Sequence, residues 1–152
     1  MDFYSCESLV DLNPIEVALS GLISLEKLSI GFYNCEDLIS IEPLATGLGH
    51  LRSLCKLVLD FNYCYSLVDL APLSTALSQL SQLKAICLRI HGNEEMNDLG
   101  PLERLHMPGL EKFELQLNYC SLVTCSLHTL PALECMRNQK VSAPADEQSL
   151  GS

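Results

Sequence analysis

The chain has 152 residues, 48% hydrophobic and 18% charged, with 19 carboxylates against 9 basic side chains, a formal net charge of −10, eight cysteines and no tryptophan. That length suits one packed domain, and the apolar content excludes wholesale disorder. The acidity argues against general affinity for nucleic acid or anionic membranes, and no apolar stretch reaches the roughly 20 residues that a membrane-spanning helix needs.

The opening segment, MDFYSCESLV, lacks a basic region followed by an apolar one, so no secretory signal is read and a cytoplasmic protein with free thiols is expected. Within it, FYSCESL (3–9) returns as GFYNCEDL (31–38) and DFNYCYSL (60–67). Cys6, Cys35 and Cys64 are spaced by 29 residues; the next equivalent place is Asn93, and Cys120 follows 27 later. The flanks share the period, so units 25–53, 54–82, 83–109 and 110–123 align, and residues 3–24 are a copy whose opening strand is largely missing.

Each unit can be numbered from its first leucine. Positions 1, 4, 6 and 8 are apolar (Leu25, Leu28, Ile30, Phe32; Leu54, Leu57, Leu59, Phe61), and the alternation at 4, 6 and 8 predicts a half-buried strand that turns at the cysteine of position 11. Positions 20, 24 and 27 (Leu44, Leu48, Leu51; Leu73, Leu77, Leu80) have the spacing of an amphipathic helix. Pro14, Pro43, Pro72 and Pro101 suit its first turn, and Asp11, Ser40, Asp69 and Asp98, three residues earlier, suit its cap. Unit 83–109 is two residues short, which predicts an abbreviated helix. One strand and one helix per unit cannot bury their apolar faces alone; stacked copies can.

The pattern L-x-x-L-x-L strongly resembles a leucine-rich repeat, and the 29-residue length with a helical second half resembles its ribonuclease-inhibitor-like subtype. The resemblance covers roughly 3–127 and implies an α/β solenoid with a curved parallel sheet inside and helices outside. It departs at position 9, where the family's inward asparagine is replaced by Tyr4, Tyr33 and His91, and kept at Asn62 and Asn118. The expected layout is a repeat domain over 1–136, its N-terminal coil truncated, and a disordered polar tail over 137–152.

Stacked cysteines at one position could be bridges, metal ligands or packing. Three in a row leave one unpaired, parallel side chains do not converge as zinc ligands must, and no C-x-x-C occurs. Packing as a small buried hydrophobe is the reading, with Cys64 protected and Cys55 and Cys87 exposed. Cys87 and His91 lie about 13 Å apart along a strand at roughly 3.3 Å per residue, too far for a nucleophile and its base. No catalytic residue, metal or cofactor is assigned, and the protein is read as non-enzymatic.

Positions 2, 3, 5 and 7 would line the concave face. The candidate partner-binding residues there are Glu26, Lys27, Ser29, Gly31, Lys56, Val58, Asp60, Lys84, Cys87, Arg89, Lys112, Glu114 and Gln116. With Cys55, Ala85 and Glu111 this face carries five basic and four acidic residues, and the rest of the chain four and fifteen. Lys27, Lys56 and Lys112 share position 3. The expected partner is another protein of acidic or mixed charge. Glu7, Glu36, Asp37, Glu94 and Glu95 form an acidic edge, read as a solubilising rim broken by Tyr65 and Ser66. The leading function is a protein-interaction scaffold. The alternatives are a recognition fragment of a larger receptor or ubiquitin-ligase adaptor, and a GTPase-activating-type regulator using Arg89.

Overall fold

The computed structural model describes residues 1–93, 95–96, 99–103 and 105–118. Glu94, Asp98 and Cys120, the final partial coil through 136 and the tail over 137–152 lie outside the described residues. Five strands, β1 (Asp2–Tyr4), β2 (Lys27–Tyr33), β3 (Lys56–Asp60), β4 (Ala85–His91) and β5 (Lys112–Asn118), alternate with helices α1 (Asn13–Ser20), α2 (Glu42–Gly49), α3 (Ala71–Leu77) and α4 (Gly100–Glu103). The strands form one all-parallel sheet in the order β1-β2-β3-β4-β5. The helices follow the same order, α1 against α2 and α2 against α3, giving a solenoid-like arrangement.

The register is the repeat made physical. Lys27 pairs Lys56, Lys56 pairs Ala85 and Ala85 pairs Lys112, so the 29-residue steps and the final 27-residue step bring equal positions together. One core cluster gathers the inward columns, including Ile30, Leu59 and Leu88 from the strands with Leu44, Leu48, Leu73 and Leu77 from the helices. Position 8 forms a stack: Phe3 on Phe32 at 5.2 Å and Phe32 on Phe61 at 5.6 Å, with rings 6° and 4° from parallel. Ile90 and Leu117 continue that position on β4 and β5.

Two details differ from the sequence reading. The turn comes one residue before the cysteine: position 10 takes the left-handed conformation in four successive coils, at Ser5 (φ 51°), Asn34 (55°), Tyr63 (59°) and Gly92 (74°). Asparagine and glycine accept that region readily, whereas tyrosine is strained there. The expected caps act from one place further out than an N-cap residue. Leu12, Ile41 and Leu70 immediately precede the helices and are buried, so position 17 belongs to the core and cannot cap. Asp11, Ser40 and Asp69, the expected capping residues, accept the amides of Asn13 (2.8 Å), Glu42 (3.2 Å) and Ala71 (2.8 Å). The shortened unit leaves α4 four residues long.

Candidate functional site

Strand alternation presents positions 3, 5 and 7 on the sheet face away from the core. In β4, Ala85, Cys87, Arg89 and His91 are half-buried while Ile86, Leu88 and Ile90 are buried. The register aligns three outward columns: Lys27, Lys56, Ala85 and Lys112; Ser29, Val58, Cys87 and Glu114; Gly31, Asp60, Arg89 and Gln116. Asp2 extends the last column onto β1. The side chains thus form one continuous face, although no two of them are close in sequence across coils.

The charges on this face are mostly spoken for. Lys84 meets Glu111 at 3.2 Å, Arg89 meets Asp60 at 3.7 Å and Lys112 meets Glu114 at 3.1 Å. Glu114 also accepts a bond from Gln116 at 2.6 Å. The Lys112 ammonium first, then the Gln116 amide, holds the Glu114 carboxyl below its ordinary range. The lysine ladder is interrupted by Ala85, and Lys112 leans to its own strand. Lys27 and Lys56, stacked and exposed, make no ion pair among the described residues. Like charges at that spacing oppose one another unless something anionic lies over them.

Gly31 is buried, so this candidate contact residue offers no side chain. It instead floors a depression of about 150 Å³, ringed by Asp2, Tyr4, Tyr33, Asp60 and Arg89. A Cβ at this position would meet an oxygen of Asp2 at 2.9 Å.

The cysteines behave as core. Cys35 and Cys64 are fully buried and Cys6 is half-buried. The Cys64 thiol donates to the Phe32 carbonyl at 3.2 Å and Cys35 to that of Phe3 at 3.8 Å, each reaching back one coil. Burial pushes the Cys64 thiol up from 9.0 to about 12, and Cys35 rises for the same reason. Asn93, fully buried in the next place, uses its Oδ1 to accept the Cys64 amide at 3.1 Å. Among the described residues its Nδ2 has no partner, and neither has Asn62 Oδ1. Cys55 and Cys87 are half-buried rather than exposed. Burial raises the Cys87 thiol, with Arg89 opposing the shift.

The sequence reading missed an aromatic ridge where the strands end. Tyr4 lies 5.8 Å from Tyr33, Tyr33 lies 5.2 Å from Tyr63, and Tyr63 lies 6.3 Å from Tyr65 and 5.2 Å from His91. Tyr4, Tyr33 and Tyr65 are exposed. A signal was present: every tyrosine in the chain falls at positions 9 to 12 of a unit. They occupy different positions within that window, so no single column revealed them. Gly92 is needed beside this ridge, since a Cβ there would sit 2.6 Å from the Tyr63 ring.

On the helical side, a groove of about 560 Å³ between α2 and α3 is lined by polar ends such as Glu42, His50, Arg52 and Asp69. Among the described residues no group of three or more His, Cys, Asp or Glu could hold a metal, and no helix is long and apolar enough to cross a membrane. Compared with protein-family models, curated proteins and solved structures, the chain matches none.

Proposed function

We propose that the chain is a leucine-rich-repeat protein of the ribonuclease-inhibitor-like subtype that binds another protein through the open, concave face of its sheet, without catalysing a reaction. The observation that carries this reading is the uncovered sheet face. Strands β2 to β5 hold positions 3, 5 and 7 in register over it, β1 adds position 7, and no helix of the described chain packs there. A rigid strand scaffold with adjustable outward side chains is a surface on which recognition is built by substitution rather than by refolding. The exposed Lys27–Lys56 pair supplies a place for an acidic group of the partner, and the cytoplasm is the compartment that suits its free thiols.

The test is cross-linking of the intact chain to its bound proteins, compared with a variant carrying Lys56→Glu, Lys84→Glu and Arg89→Glu, both verified as folded by circular dichroism. The variant is expected to lose the specific cross-links. An unchanged set of cross-linked partners would place binding elsewhere on the molecule.

A further inference from the structure

The lysines of the described residues are sorted along the strand axis, with Glu26 and Glu111 among them and Arg89 toward a strand end. Lys27, Lys56, Lys84 and Lys112 all enter at the start of a strand, whereas residues 1–26, 28–51, 57–83 and 90–103 contain no lysine or arginine at all. The ends of the strands carry the opposite character. Glu7, Glu36, Asp37 and Glu95 are exposed in the turns that follow them, and the Asp37 amide bonds the Glu7 carbonyl at 3.3 Å, which brings two of these carboxylate-bearing turns side by side. Asp2 and Asp60 flank the depression over Gly31, where Arg89 already pairs with Asp60 and the N-terminal ammonium donates to the Ser29 carbonyl at 2.9 Å. The tyrosine ridge runs through this acidic band, and Tyr65, which interrupts the carboxylates in sequence, continues the ridge in space.

We infer that this edge is a docking strip for a lysine- or arginine-bearing segment of a partner protein, its cations lying between the exposed tyrosines and the turn carboxylates Glu7, Glu36, Asp37 and Glu95. The chemistry of the strip selects this occupant. Tyrosine faces attract guanidinium and ammonium groups, and carboxylates beside them attract the same charge. An acidic segment would meet repulsion from Glu7, Glu36, Asp37 and Glu95, and a purely apolar one would leave those carboxylates facing it. Tyrosine and arginine are also the residue types that concentrate binding energy at interfaces. The strand-start lysines then orient the segment, with its cationic part over the turns and any acidic part over Lys27 and Lys56. The inference rests on the interaction reading above and specifies its polarity.

The test uses two synthetic peptides, an alternating Arg-Gly octapeptide and its Glu-Gly counterpart. Both are titrated into the intact chain and followed by tyrosine fluorescence and by NMR shifts. The arginine peptide is expected to perturb Tyr4, Tyr33 and Tyr65. Its affinity should fall at least tenfold in E36K/D37K and several-fold in Y33A, but change less than twofold in E16K/E42K on the helical side. Equal losses in E36K/D37K and E16K/E42K would reduce the attraction to net charge and overturn the inference. So would binding that leaves the tyrosines unmoved. If only the glutamate peptide binds, at Lys27 and Lys56, the interaction reading stands and the cationic strip falls. If neither peptide binds, the strip falls as well, and the cross-linking result alone decides the broader reading.

Discussion

The first coil and the third carry the same pattern and bury it differently. Phe61 is wholly enclosed, while Phe3 at the same position is half-buried. Leu80 is 2% exposed, whereas Leu22 at its position is 46% exposed. Val17 and Ile23 stand exposed where the third coil has Thr75 and Ser81. A residue in this fold acquires its environment from the coils on both sides, so identical chemistry yields different stabilisation according to place in the stack.

The sharpest way to break that comparison is to truncate equivalent rings. Phe61→Ala should cost about 3–5 kcal/mol, and Phe3→Ala about half as much or less, measured by urea denaturation. Equal losses would mean that position in the stack does not govern burial. Next in size is Asn93→Ala, which strands the buried Cys64 amide and should cost roughly 1–3 kcal/mol despite removing an unpartnered amide nitrogen. The cap offers a smaller effect. Asp69→Ala and Asp11→Ala remove bonds of the same 2.8 Å length and should each cost about 0.5–2 kcal/mol, with the third coil suffering more because α3 packs against helices on both sides.

The thiols sharpen the comparison without altering stability at neutral pH. Cys64 should label far more slowly than half-buried Cys6, and comparable rates at pH 7.5 would contradict its enclosure. Its raised folded value also fixes a sign. A thiol that ionises at about 12 when folded and near 9.0 when unfolded contributes stability that is intact below 9 and lost as pH climbs toward 12. The stability gap between wild type and Cys64→Ala should therefore narrow as pH is raised past 9.

Much of this architecture is legible in the sequence because the repeat forces it. The strand columns, the proline at the start of each helix, the shortened α4 and the buried cysteines all follow from columns that hold one residue type. What escaped was one column beside the caps and the features that left their columns. Leu12, Ile41 and Leu70 form a column that went unread because an aspartate or serine beside them offered a ready cap. The left-handed place is Ser, Asn, Tyr and Gly in turn, and serine and tyrosine do not announce that conformation. On the open face, residue types were legible but partnerships were not. Whether Arg89 is available or held by Asp60 depends on side-chain positions that no spacing encodes.

The contact between Tyr63 and Gly92 has a consequence for register. A stack of near-identical coils has a whole family of wrong assemblies, each displaced by one full unit, in which Phe meets Phe and Leu meets Leu as comfortably as in the right one. The apolar columns reject them only where they change, as from Phe61 to Ile90 at position 8. Only Gly92 leaves room for the Tyr63 ring, since Asn34 and Ser5 at the equivalent place both carry a Cβ. This pair works as an index mark, telling the third coil which neighbour is its own.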